Sequence, residues 1–388
     1  MRRTLIVGAG YAGLLAAQRL ARKSRGKMEV VLVNPRPYLV ERVRLHQDAA
    51  GDSRTRVPLL RRLAGSGVTF REGSVLAVDF SARRAAIDGA SGTTNEAFDD
   101  LILATGSIAT GGPPGAARFA HTIALESDTF ALRAALEGSP TARVVICGGG
   151  FTGVELATEL AERRRGLRIT LVTGGQIVPT VGEQARSYIR GALDRLGVER
   201  LEKTRVDAIE RDGVVVEGGS IVPADVTVWA GGFRASPLVA KLGLAVGPGG
   251  RALVDDRLRS LSQPFVHVAG DAAFTPLRMA CATALPMGAF VADDIVRDLH
   301  GRDAEPFSFG FAGVCVSLGR RDAVVQGTDR LDRPTWIGFR GRSGAYLKEL
   351  IIRFAMNSST FERRGLAVPW LKGPALFGAS ERPLLRAS

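Results

Sequence analysis

The chain carries one phosphate-binding signature twice. Gly8-Ala-Gly10-Tyr-Ala-Gly13 follows the apolar stretch Thr4 to Val7, and Gly148-Gly-Gly150-Phe-Thr-Gly153 follows Arg143 to Cys147. In each copy a strand runs into a glycine turn and then a helical segment, so backbone N–H groups and a helix N-terminus can face a pyrophosphate. One such loop says little alone. Two, 140 residues apart, imply two dinucleotides in one molecule, and the economical reason for that is passing a hydride between them.

A chain of 388 residues with 45% hydrophobic content can bury cores for two or three domains. Cys147, Cys281 and Cys315 are too few and too scattered for a disulfide framework or a cysteine metal site, so no metal is expected and a reducing, cytoplasmic compartment fits. The start, Met1-Arg-Arg followed by Leu5 to Ala17, superficially resembles a secretory signal, but its glycines are better explained as strand, turn and helix. No uninterrupted apolar run reaches the roughly 18 residues of a membrane span, so any membrane contact is expected to be peripheral. Lysine and arginine total 52 against 39 acids, a net charge of +13, which draws a protein towards anionic surfaces. The arginines are dispersed and aromatic residues are only 6%, so a nucleic-acid groove is not expected.

Residues 4 to 23 read as strand, turn and helix, and Glu29 to Val33 as a second strand. Val68 to Phe70, Val75 to Phe80 and Ala85 to Asp88 read as short antiparallel strands, and Leu101 to Ala104 as a buried strand ending in Thr105-Gly106. Pro113-Pro114-Gly115 marks a crossing loop. Helix Ser127 to Glu137, the second glycine turn, strand Ile169 to Val172, helix Glu183 to Leu196 and strand Val226 to Trp229 then form an inserted unit. Its ending, Ala230-Gly231-Gly232, parallels Ala104-Thr105-Gly106, as a duplication would leave it. Phe265 to Ala269, Gly270-Asp271 and a helical stretch to Leu299 return the chain to the first unit. The expected class is α/β: two Rossmann-like dinucleotide-binding domains, the second inserted in the first, plus a smaller C-terminal α+β region. The expected boundaries are 1–110, 111–250, 251–305 and 306–388.

Gly8-x-Gly10-x-x-Gly13, Leu103-Ala-Thr105-Gly106, Gly148-x-Gly150-x-x-Gly153-Val-Glu155 and Val268-Ala-Gly270-Asp271 resemble, in that order and spacing, the pyridine nucleotide-disulfide oxidoreductase superfamily of two-dinucleotide-binding flavoproteins. Within it, Ile146 to Leu160 and Trp229-Ala-Gly-Gly-Phe-Arg234 look like type II NADH dehydrogenases, single-subunit flavoenzymes that pass electrons from NAD(P)H to a quinone. The resemblance spans about residues 3 to 350. It implies that Gly8, Gly10, Ala12 and Gly13 cradle the FAD pyrophosphate, with Ala104, Thr105, Gly106 and Gly270 beside it and Asp271 on the ribityl chain. It likewise implies that Gly148, Gly150, Phe151, Thr152 and Gly153, with Thr173 and Gly231, hold NADH or NADPH.

Some positions depart from that pattern or carry two readings. Asn34 stands where an acid usually accepts from the adenosine ribose, and its amide oxygen can still accept. Arg42 and Arg44 follow in a loop that the family places against the flavin, where either could neutralise phosphate or be a solvated surface arginine. Thr173-Gly-Gly-Gln176 offers neither the acid for NADH nor an arginine for NADPH, so the nicotinamide preference is open. Glu155 resembles the family glutamate near the nicotinamide, and is also a first-turn acid favoured by the helix dipole. His46 is a candidate proton relay or a structural histidine.

Residues 34 to 60 contain no cysteine, which removes the disulfide reductases, and a lone Cys281 reads as an inert thiol. Met279 to Gly288 replaces the family's glutamine-rich quinone stretch with apolar residues, and Pro286 implies a kink or a late helix start. Tyr346, Leu347, Leu350, Ile351 and Phe354 share one helical face opposite Lys348, Glu349 and Arg353. This face reads as core-facing or, with Trp370, Leu371, Leu376 and Phe377, as membrane-docking.

The function expected is an FAD-dependent NAD(P)H dehydrogenase with a quinone or other small oxidant as acceptor. Peripheral contact with the inner face of the cytoplasmic membrane and a homodimer are both compatible with it. The alternatives are an NAD(P)H-dependent reductase of a rubredoxin- or ferredoxin-type protein, and a redox-sensing binding protein resembling apoptosis-inducing factor.

Overall fold

The computed structural model describes residues 1–52 and 55–376. The first unit opens with β1 (Arg2–Val7), α1 (Tyr11–Ser24), β2 (Met28–Asn34) and α2 (Leu45–Ala49), followed by β3 (Val68–Glu72). An antiparallel set, β4 (Ser74–Asp79), β5 (Arg84–Gly89) and β6 (Gly92–Ala97), precedes β7 (Asp100–Leu103) and β8 (Ser107–Ala109). The inserted unit contains β9 (Ala120–His121), α3 (Glu126–Glu137), β10 (Arg143–Cys147), α4 (Phe151–Arg163), β11 (Arg168–Val172), α5 (Glu183–Arg195) and β12 (Glu199–Leu201). It continues through a second antiparallel set, β13 (Val206–Glu210), β14 (Gly213–Val216) and β15 (Ile221–Pro223), into β16 (Val226–Trp229) and β17 (Phe233–Ala235). The chain then returns through β18 (Val266–Val268) and α6 (Cys281–Leu299), and ends in β19 (Gly313–Ser317), β20 (Ala323–Thr328), β21 (Pro334–Arg340) and α7 (Gly341–Arg363).

The two parallel sheets have one plan. The first runs β18-β7-β1-β2-β3 and the second β9-β16-β10-β11-β12. In each, the strand before the glycine turn is central, and Leu5, Ile6, Val144 and Ile146 are fully buried because helices cover one face of the sheet and the three-stranded antiparallel set covers the other. The segment at Val68, read from sequence as antiparallel, is instead the parallel neighbour of β2, with Val30 opposite Val68. Its short apolar run carries no directional signal, whereas the strands it was grouped with do pair antiparallel.

Immediately beyond β7 and β16, the strands β8 and β17 pair with each other, Ser107 opposite Ala235 and Ala109 opposite Phe233. The carboxyl ends of both sheets, where α/β folds bind ligands, are thereby stitched side by side. Val239, Leu242 and Leu244, just after β17, already pack in the first core.

Two further expectations are corrected. Gly270–Ala272 is a single 3-10 turn rather than the start of a long helix, and α6 begins at Cys281, with Pro286 inside it. On α7 the apolar face points outward: Tyr346 is 69% exposed and Phe354 48%, whereas Lys348 is 6% exposed. The buried face is Gly344, Lys348, Ile352, Ala355, Met356, Ser358, Ser359 and Glu362. Small residues permit close approach there, and Glu362 holds Arg19 at 3.1 Å and Arg22 at 2.9 Å from α1. Trp370 packs inward, its Nε1 donating to the Ser308 carbonyl at 2.9 Å, and Leu376 is buried. Phe377 lies outside the described residues.

Candidate functional site

The same turn is built twice. The Gly8 N–H donates to the Val33 carbonyl at 2.8 Å and the Gly148 N–H to that of Val172 at 2.8 Å. The Ala104 N–H donates to Val7 at 2.9 Å, and the Ala230 N–H to Cys147 at 2.8 Å. Gly8 has φ +102° and Gly148 φ +132°, and a Cβ on either would strike the carbonyl of Ala104 or Ala230. Gly13 and Gly153 let each helix pass the carbonyl of its own first glycine. Gly10 and Gly150 differ in kind, because nothing lies within 4 Å of where their Cβ would be. Each opens a helix, so the free N–H groups of α1 and α4 face room for an anion.

Around the first turn, Asn34 Oδ1 accepts from the Ala9 N–H at 3.0 Å while its Nδ2 donates to the Arg36 carbonyl at 2.7 Å. The residue expected to meet a ribose is thus also the tether of the turn, with one lone pair left over. Ser107 Oγ donates to Asp271 Oδ2 at 2.5 Å, and Arg42 donates to Ser107 Oγ at 3.2 Å. Burial pushes the Arg42 guanidinium below its ordinary value and Asp271 counters it, so it stays a cation. Gly106 lies beside Arg42, Gly270 packs on Ala12, and the buried Thr105 Oγ1 has no hydrogen-bond partner among the described residues. These residues fit FAD: an open helix start for the pyrophosphate, and hydroxyl and carboxylate oxygens with capacity to spare for its hydroxyls. Arg44 serves another end, bonding Glu41 at 2.7 Å and Glu349 at 2.8 Å and fastening its loop to α7.

Around the second turn, Phe151 and Thr152 begin α4, and the Thr173 N–H donates to the Leu201 carbonyl at 2.9 Å. Gly231 lies against the Trp229 ring, whose Nε1 donates to Thr110 Oγ1 at 3.1 Å.

On α4, just past the second turn, three other segments converge on Glu155. Its Oε1 accepts from the Ser317 N–H of β19 at 3.0 Å and pairs with Lys348 Nζ of α7, while its Oε2 stands 3.9 Å from His46 Nδ1 of α2. Burial raises the Glu155 carboxyl, but Lys348, His46 and the Ser317 N–H outweigh it and hold it below its ordinary value. Burial pushes His46 down to about 4, against the pull of Glu155 and with repulsion from Lys348, Arg320 and Arg44. The imidazole is therefore neutral at neutral pH, and its buried Nε2 has no hydrogen-bond partner among the described residues. A carboxylate, an ammonium and a neutral imidazole in contact form a set through which one proton can be taken up or released.

The sequence candidates Glu155 and His46 are thus brought together, whereas Lys348, placed by helical periodicity on the solvent side, and Ser107 were missed. The spacing Gly344, Lys348, Ile352 carried the signal for the buried face of α7, but larger apolar side chains on the opposite face masked it. Burial pushes the Cys281 thiol up to about 11, with Cys315 adding to it, and raises Cys315 too; neither is a thiolate at neutral pH.

The profile described as pyridine nucleotide-disulphide oxidoreductase matches residues 2–288. The chain is 31% identical to the NADH dehydrogenase-like protein Rv1812c of Mycobacterium tuberculosis, over 85% of this chain and 89% of that protein. It is 28% identical to the type II NADH:quinone oxidoreductase of Staphylococcus aureus, over 96% of this chain and 98% of that one. Among solved structures, the sulfide:quinone oxidoreductase of Aquifex aeolicus shares the fold with a TM-score of 0.80 at 19% identity, covering 100% of this chain and 95% of that one. With its duplicated glycine turns and its match over most of its length, the chain belongs to the pyridine nucleotide-disulphide oxidoreductase family.

Proposed function

We propose that this chain is an FAD-dependent NAD(P)H dehydrogenase with a quinone as electron acceptor. The observation that carries the reading is the β8–β17 ladder, which joins the carboxyl ends of two sheets that each carry a glycine turn of matching geometry. FAD, when bound, supplies a two-electron carrier between a nicotinamide donor and a second oxidant. Gly10 and the α1 N-terminus would receive its pyrophosphate, Asn34 its ribose, and Asp271, oriented by Ser107, its ribityl hydroxyls. Gly150 and the α4 N-terminus would receive the pyrophosphate of the nicotinamide nucleotide, with Thr173 at its ribose and Gly231 behind it.

Glu155 lies one turn into α4 and orients its carboxylate between Lys348 and His46 at the junction of both units. We assign it to position the donor and, as a carboxylate, to accept and pass on a proton, with His46 as the relay, since quinone reduction consumes two. The relative named a type II NADH:quinone oxidoreductase supports the acceptor class, as does the half-buried apolar wall of Leu277, Met279 and Cys281. No helix among the described residues is long and apolar enough to cross a membrane. The outward face of α7, with Tyr346, Leu350, Ile351 and Phe354 exposed beside Arg353, supports peripheral docking where lipid-soluble quinones reside.

The test is anaerobic rapid mixing of the FAD-loaded protein with NADH and with NADPH, followed by reoxidation with a panel of quinones and redox proteins. Bleaching of the flavin band followed by quinone-dependent recovery is expected. Reduction without recovery by any quinone would discard the acceptor assignment.

A further inference from the structure

The loop Thr173-Gly-Gly-Gln176 contains no charged residue, yet the fold brings charge to it from another part of the chain. Residues 203–205, just after β12, run alongside this loop. The Thr204 N–H donates to the Thr173 carbonyl at 2.9 Å and the Lys203 N–H to the Gly175 carbonyl at 2.9 Å. A Cβ on Gly174 would lie 3.7 Å from Arg205 Cα, and one on Gly175 would meet nothing within 4 Å. The end of β11 therefore opens into free space bordered by an exposed lysine and an exposed arginine.

The surrounding acids do not cancel these cations. Glu202 is already committed: it accepts from Arg190 Nε and Nη2, each at 2.8 Å, and from the Ile177 N–H at 3.2 Å. The Arg190 hydrogen bond holds its carboxyl below the ordinary value. Arg205 bonds Asp207 at 2.9 Å, with side chains 68% and 39% exposed. Solvent weakens such a pair, and a phosphate dianion with three acceptor oxygens competes well for the guanidinium. Among the described residues the Lys203 ammonium has no ion-pair partner. In a Rossmann unit the end of the second strand lies at the adenosine ribose, where an acid binds the 2′-hydroxyl and a cation accommodates a 2′-phosphate.

We propose that this chain oxidises NADPH as well as NADH, with Lys203 and Arg205 receiving the 2′-phosphate. The inference rests on the assignment of the nicotinamide nucleotide to the second turn. No acid at Thr173 repels the phosphate, Gly174 and Gly175 leave it room, and the cations come from a segment about thirty residues downstream. A reading confined to the loop itself therefore sees no determinant.

The experiment compares flavin reduction by NADH and by NADPH in the FAD-loaded wild type, in Lys203→Ala/Arg205→Ala and in Thr173→Glu. The wild type is expected to be reduced by both. In the double variant the NADPH to NADH ratio of kcat/KM is expected to fall by about tenfold or more, through KM rather than kcat, as lost charge-assisted hydrogen bonds require. Thr173→Glu is expected to lower the same ratio by adding repulsion. Reduction by NADH but not by NADPH in the wild type, or an unchanged ratio in the double variant, overturns the inference and leaves the dehydrogenase reading intact. Reduction by neither nucleotide overturns both.

Discussion

Around the first glycine turn, Asn34 tethers the turn itself, and Arg42, Ser107 and Asp271 form a connected polar set beside it. Around the second, Thr173, Gly174 and Gly175 offer little beyond backbone, and the charged residues stand on neighbouring segments. Two turns with the same backbone bonds to their neighbouring strands are thus set in unlike surroundings. A crevice lined with fixed, mutually oriented polar groups retains a ligand because little ordering is needed on binding, whereas a sparsely lined one lets its ligand exchange. The difference suits a resident group in the first unit and a cosubstrate in the second.

The largest expected effects come from crossing the two turns. Gly150→Val should leave bound flavin in place while NAD(P)H-driven reduction falls by about a hundredfold or more, because the side chain intrudes where the second pyrophosphate sits. Gly10→Val should do the reverse, and absorbance of the purified protein reports it as lost flavin colour. If both variants lose flavin alike, the two turns are not independent and the contrast between them fails.

Next in size is the junction. Lys348→Met leaves Glu155 buried without its cation and should cost about 3–5 kcal/mol in denaturant unfolding, most of it recovered in Glu155→Gln/Lys348→Met. A recovery of less than half would mean that the lysine acts mainly through packing. His46 gives a pH signature of slightly smaller size. Its value of about 4 in the fold lies below the ordinary 6.5, so the unfolded chain takes up the proton first. Stability present above pH 6.5 declines towards about pH 4 and levels off below it, by about 3 kcal/mol in all. His46→Gln should flatten that part of the stability profile, and a variant that follows the wild-type curve would assign the acid sensitivity elsewhere. The smallest effect on stability belongs to the outer face of α7, where Leu350→Ser with Phe354→Ser should change it by no more than about 0.5 kcal/mol per site. The same variant should lose sedimentation with anionic vesicles; retained sedimentation would move the docking surface off this helix.

Most of the fold was legible because its signals are local. A strand, three glycines at fixed spacing and a helix form one cooperative unit, and both copies give the same order in four of their five sheet strands. The direction of β3 was not legible, since Val68 to Glu72 pairs with β2 through residues nearly forty positions away in the chain and an apolar run has no polarity of its own. At the site, Glu155 and His46 could be singled out by position, but their meeting depends on α2 packing against α4. Lys348 could not be found by periodicity, because hydrophobic pattern favours the face with the larger side chains. On α7 that face looks outward, while small residues and ion pairs hold the inner one. The cations beside Thr173 escaped for a related reason: they belong to the segment after the next strand.

The short β8–β17 ladder has an evolutionary meaning. Because Ser107–Ala109 and Phe233–Ala235 are hydrogen-bonded neighbours, the inserted unit is entered and left through a single doorway. A gene for one nucleotide-binding module could be spliced into the middle of its own duplicate without parting the host's central sheet. The same doorway marks where the module could be excised, its two ends already close enough to be joined by a brief linker.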